Sequence, residues 1–100
     1  MNTFNDSEIL KNALVGVEFE FYSNLPIEET AKKIGILLNK KIQIEDKAHS
    51  EFEPTADHFK LEPDMSGGAK LMELVTGAIP YYSARLMIIN MCKWIEENGY

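Results

Sequence analysis

Between Val15 and Phe21 apolar residues alternate strictly with Gly16, Glu18 and Glu20, the period-two pattern of a half-buried strand. Val15, Val17, Phe19 and Phe21 are assigned to the core, and a strand is expected over about Ala13 to Tyr22. Glu18 and Glu20 then stand on the opposite face, about 7 Å apart at Cα. Ser23 and Asn24 suit a turn and a cap. Pro26 suits the first helical position, and Glu28 and Glu29 suit the positive end of a helix dipole. Ile27, Ala31, Ile34 and Leu38 follow at helical spacing, which predicts a helix from about Ile27 to Asn39 packed on the sheet.

Lys41 to Glu45 reads as a second strand with Ile42 and Ile44 on one face. Asp46 to Ala56 is polar and acidic and contains Pro54, so it reads as a loop, and one this long in a small domain is expected to be functional or mobile. His58 to Asp64 alternates again: Phe59 and Leu61 point one way, Lys60, Glu62 and Asp64 the other. Met65-Ser66-Gly67-Gly68 is a turn, Lys70 to Thr76 a further strand, and Gly77 and Pro80 break it. Tyr81 to Glu97 is predicted helical, with Ala84, Met87, Ile88, Met91 and Ile95 in one stripe broadened by Leu86 and Trp94, and Gly99 as its C-cap. The segment before the first strand, Met1 to Asn12, fits a short helical turn or a loose arm. The expected fold is α+β: a mainly antiparallel sheet of about four strands with two helices on one face. The other face then carries Glu18, Glu20, Lys60, Glu62 and Asp64.

Composition narrows the partners. The chain of 100 residues reads as a single domain. Ten basic against sixteen acidic residues give a net charge of −6, which argues against a nucleic-acid or anionic-membrane surface. The single cysteine, Cys92, falls in an apolar helical pattern and is expected to be a buried core thiol, in keeping with a reducing compartment. There is no apolar run of the ~18–20 residues needed to cross a bilayer, and MNTFNDSEILKN lacks the blocks of a signal peptide. A cytoplasmic location is expected.

The charged face is the candidate chemistry. Glu18 and Glu20 read either as a solvated strand face or as a carboxylate pair drawing an oxygen-loving cation such as Mg²⁺. Glu73 lies between Leu71 and Val75 by alternation, where a carboxylate needs a partner, a metal or an opening to water. Asp64 and Ser66 serve as turn caps or face a phosphate together with the Gly67-Gly68 backbone. Lys60 reads as a strand salt bridge or a phosphate ligand. His49 and His58 have no zinc spacing and are expected at the surface. There is no convincing Ser-His-Asp or Cys-His set.

VGVEFEF, KLEPDMS and LMELVTGAIP, in that order, resemble the N-terminal half of the amidoligase family, carboxylate–amine ligases related to glutamate–cysteine ligase and glutamine synthetase. The shared pattern is a Gly-x-Glu-x-Glu strand, a strand ending in Asp-x-Ser, and a Glu-Leu-Val-Ser/Thr strand leading to a proline. It spans about Val15 to Pro80. The resemblance implies part of a glutamine-synthetase-like catalytic sheet and an ATP-dependent reaction, in which a carboxylate is phosphorylated and an amine displaces the phosphate. It implies that Glu18, Glu20 and Glu73 ligate Mg²⁺ or Mn²⁺, with Asp64 beside them at the metal or the substrate amine. Lys60 and Ser66 would face nucleotide or substrate. The family's later Gly-x-His-x-His-like segment has no counterpart here, so the chain is expected to be half of such a sheet and inactive toward ATP alone. Its partners would be the carboxylate and amine substrates and the remaining half of the catalytic domain. Two other readings stay open: an interaction module that pairs through an open sheet edge, by self-association or with another chain and with Asp46 to Asp57 as partner surface, and a structural domain with solvated carboxylates.

Overall fold

The computed structural model describes residues 12–47, 50–64 and 70–98. The predicted features at Met1–Lys11, His49, the Met65–Gly68 turn with Ser66, and the Gly99 cap lie outside the described residues. The elements run β1 (Leu14–Val15), β2 (Glu18–Tyr22), α1 (Ile27–Leu38), β3 (Lys41–Ile44), β4 (His58–Pro63), β5 (Leu71–Val75), β6 (Ile79–Pro80) and α2 (Tyr81–Glu97). The fold is α+β. A four-stranded sheet has the order β2-β5-β4-β3, and β1 and β6 form a short ladder of their own.

The single strand expected over Ala13 to Tyr22 is divided. Val15 faces Ile79 and Glu18 faces Val75, so Gly16 and Val17 oppose three residues, Thr76, Gly77 and Ala78. That surplus residue is a β-bulge, which breaks the ladder and bends the strand. Thr76 holds the break: its N–H donates to Val17 O at 3.0 Å, and its hydroxyl oxygen accepts from Val17 N–H at 3.0 Å.

The sheet is antiparallel except for β3 and β4, which run parallel with Lys41 opposite His58 and Ile44 opposite Leu61. α1 carries the chain from β2 at one edge to β3 at the other. A parallel neighbour then requires a crossover of about a dozen residues. Residues 45–57 are that crossover, which accounts for the long acidic loop.

Alternation places Phe21, Phe59, Leu61, Met72 and Leu74 in one buried cluster with Ala31 and Ile34 of α1 and Ala84, Met87, Met91 and Trp94 of α2. Each large side chain so buried contributes roughly 1.5–3 kcal/mol. α1 follows its predicted stripe and ends at Asn39, which takes the left-handed conformation (φ 55°). Its entry is fixed by buried hydroxyls: Ser23 Oγ donates to Thr30 Oγ1 at 2.7 Å, and Thr30 Oγ1 donates to Pro26 O at 3.0 Å. α2 departs from its predicted stripe. Leu86 and Ile88 are exposed, and Cys92 is exposed rather than a core thiol. Ile88 and Cys92 each follow a buried methionine by one residue, about 100° around the helix. Among the described residues no helix is long and apolar enough to cross a membrane.

A candidate carboxylate face

With both helices on one side, the other side of the sheet presents the alternate residues. In register, Glu20 lies opposite Glu73 and Glu73 lies opposite Glu62. Three adjacent strands therefore carry glutamates in one row. The backbone bonds decide the spacing. Ser23 N–H donates to Lys70 O at 3.0 Å and Asp64 N–H to Leu71 O at 2.8 Å. By alternation Glu20–Glu73 is a non-hydrogen-bonded pair and Glu62–Glu73 a hydrogen-bonded one, about 4.5 and 5.5 Å apart at Cα. Glu18 sits one step along the face, opposite Val75, which faces Lys60. Glu45 continues the row on the β3 side, its N–H donating to Leu61 O at 3.0 Å.

The row has two environments. Glu62 is 2% exposed and Lys60 8%. Glu62 Oε2 accepts from Ser50 N–H at 3.0 Å, from Ser50 Oγ at 2.9 Å and from Lys60 Nζ at 3.1 Å. Lys60 Nζ donates in addition to Ser50 O at 3.1 Å. Burial pushes the Glu62 carboxyl up, but the Ser50 bonds and the Lys60 ammonium outweigh it and hold the group below the usual carboxylate range.

Ser50 belongs to the crossover, which is seated at two points. Phe52 packs edge-on against His58 with ring centroids 4.9 Å apart, so His58 is a half-buried packing residue. At the second, Gly77 N–H donates to Thr55 O at 3.2 Å, and Thr55 N–H to His58 O at 2.9 Å. A Cβ on Gly77 would fall 2.5 Å from the Thr55 carbonyl carbon, so only glycine admits this approach.

One strand away the surroundings invert. Glu18 and Glu20 are exposed and Glu73 is half-buried. Among the described residues no lysine or arginine forms a salt bridge with any of them; the two salt bridges are Lys60–Glu62 and Lys40–Asp57. The Glu73 carboxyl is pushed above its ordinary value, first by burial and then by the charges of Glu18, Glu20, Glu62 and Asp64. One electrostatic neighbourhood thus joins Glu18, Glu20, Asp64 and Glu73. Lys60, expected toward nucleotide, aims its ammonium at Glu62 and Ser50.

The sequence reading placed Glu62 on this face without naming it a site residue, and it missed Ser50. The Lys60-Leu61-Glu62 alternation signalled Glu62; nothing local signalled Ser50, whose contact is made across the crossover. The acidic groups of the row, Glu18, Glu20, Glu73 and Asp64, offer carboxylate oxygens, the ligand type of hard cations such as Mg²⁺. As the side chains stand, no three His, Cys, Asp or Glu among the described residues are placed to hold one ion. A separate hollow of about 430 Å³, lined by Leu37, Lys40, Phe59, Ile79, Leu86 and Met87 among others, lies on the helix side, away from the carboxylates.

No protein-family model, no curated protein and no solved structure matches the chain.

Proposed function

We propose that this chain is the carboxylate-bearing part of an ATP-dependent carboxylate–amine ligase of the amidoligase kind, its open sheet face holding Mg²⁺ or Mn²⁺ through Glu18, Glu20 and Glu73 with Asp64 beside them. The observation that carries this reading is the glutamate row: like charges in register on neighbouring strands destabilise a sheet, and here Glu73 lies against four acidic neighbours with no basic partner among the described residues. The order of the three motifs along the sequence supports it further. A divalent cation held by these carboxylates would supply positive charge to offset that of phosphate oxygens.

The chain's own residues divide the work. Glu18 and Glu20, exposed on the strand face, turn toward the ion without unpacking anything. Glu73, whose charged form burial and its acidic neighbours disfavour, is the carboxylate whose charge a cation held there would offset most. Glu62, already engaged by Lys60 and Ser50, holds the centre of the row in place. Lys60 is a positioning residue.

Titration with Mn²⁺ and Mg²⁺, followed by thermal unfolding, tests this. At a hundredfold excess over Kd the ion adds about 2.7 kcal/mol of stability, and Glu18→Gln and Glu20→Gln each weaken that effect. Equal affinity of both variants and the parent chain for either ion removes the metal role, and the reading as an interaction or structural module then stands.

A further inference from the structure

β2 is the end strand of the sheet, and its outer side carries no strand among the described residues. Its backbone is sorted by alternation. Thr76 N–H donates to Val17 O and Ser23 N–H to Lys70 O, both at 3.0 Å. Val17, Phe19, Phe21 and Ser23 therefore turn their polar groups to β5, and Glu18, Glu20 and Tyr22 turn theirs outward. Edges are ordinarily blunted by lysine, proline, a bulge or a cover. Over Glu18–Tyr22 the only charges are the two exposed glutamates, both on the helix-free face. Beside the edge lies an open hollow of about 440 Å³ lined by Glu20, Phe21, Tyr22, Lys70 and Ile95, residues of both faces of the strand. Lys70 at its rim is turned toward Asn24 Oδ1, 3.4 Å away.

We propose that the β2 edge receives an extended segment of a partner protein in which basic residues alternate with apolar ones. Added as a fifth strand, that segment satisfies the outward N–H and C=O groups of Glu18, Glu20 and Tyr22. Its basic side chains fall beside Glu18 and Glu20, and its apolar ones enter the hollow against Phe21 and Ile95. Strand addition draws affinity from the main chain and specificity from alternate side chains; here the alternation is acid outside, apolar inside. A second copy of this chain is the wrong occupant. Antiparallel pairing of β2 with itself about Phe19 sets Glu18 of each copy against Glu20 of the other, adding like-charge pairs between two chains each carrying −6. The inference uses backbone direction and exposed charge and does not rest on the cation reading.

The probe is a labelled, end-blocked peptide of about six residues alternating lysine and valine, a typical strand length, in EDTA so that no divalent cation takes part. Fluorescence anisotropy is expected to show binding that weakens with salt. The Glu18→Lys/Glu20→Lys double variant is expected to bind about tenfold more weakly, as for lost charge complementarity. A glutamate–valine peptide is expected not to bind. Hydrogen exchange on the complex should slow at the amides of Glu18, Glu20 and Tyr22, while Phe19 and Phe21 are already slow in the free chain. Glu20→Pro removes an outward N–H and no bond to β5, so it should abolish binding; should that variant unfold, the lysine variant and the exchange pattern decide. Slow exchange at Glu18, Glu20 and Tyr22 in the free chain, equal binding of the glutamate–valine peptide, or binding without protection of those amides each overturns the proposal. So does a dimer paired through β2.

Discussion

Glu62 and Glu73 are cross-strand neighbours in one sheet, yet the fold treats them oppositely. Glu62 is enclosed and supplied with a lysine, a hydroxyl and a backbone N–H, and its charge is favoured. Glu73 is enclosed in part and supplied with other carboxylates, and its charge is disfavoured. The difference lies in what covers each strand. The crossover seats Ser50 over β4, where it serves Glu62, whereas Glu73 has no salt bridge among the described residues. Glu62 has its counter-charge built into the fold, whereas Glu73 has only like charges around it.

The sharpest way to break the supplied half is Lys60→Met. It leaves Glu62 enclosed without its cation and is expected to cost about 3–5 kcal/mol, read from urea unfolding. Gly77→Ala attacks the seat of the crossover instead. The added methyl meets the Thr55 backbone, and about 2 kcal/mol of destabilisation is expected for such overpacking. Hydrogen exchange at the Ser50 amide should quicken with it. Ser50→Ala leaves the backbone donor and removes the hydroxyl, for a loss of about 1.5 kcal/mol, the lower end for a bond to a charged group.

Glu73→Gln has the opposite sign and the smallest size. Because burial and its acidic neighbours raise the native value of Glu73 above the unfolded one, the native state is favoured while the group is protonated. That advantage is lost as pH rises through the raised value. At pH 7 the glutamine variant should be more stable by about 0.5 kcal/mol, the scale of a cross-strand pair, or about 2–4 °C in Tm. The gap should close near pH 3.5, where a carboxyl of unfolded value about 4.3 is protonated in both states. Glu62→Gln should do the reverse: its lowered native value contributes stability above the unfolded value, lost as pH falls through the native one. A Glu73→Gln variant less stable than the parent at pH 7 would show the two glutamates to be alike.

Alternation along Val15–Phe21, His58–Asp64 and Lys70–Thr76 was enough to choose the faces, because a strand's side chains have a period of two whatever their neighbours are. It could not choose the neighbours. The row Glu20–Glu73–Glu62 depends on the order β2-β5-β4 and on the surplus residue at the bulge, which shifts the register between β1–β6 and β2–β5. The parallel pairing of β3 with β4 was hidden for the same reason: the length of the 46–56 loop was read as a sign of function or mobility, and no residue in it declared a strand direction. Cys92 misled for a different reason. α2 carries apolar residues nearly all round, with Leu86, Ile88 and Ile89 exposed, so its periodicity left the buried side open.

Strand order also bears on how the chain is made. The two outer strands, β2 and β3, are both synthesised before either inner strand, and α1 holds them at opposite margins. A nascent chain that has emerged only as far as Lys47 holds two strands of the four-stranded sheet with nothing between them to bond to, and its ladders must wait for β4 and β5. Assembly is therefore a late, long-range event rather than a hairpin-by-hairpin zipper, and the stretch at the ribosome's mouth spends that interval with both margins unsatisfied.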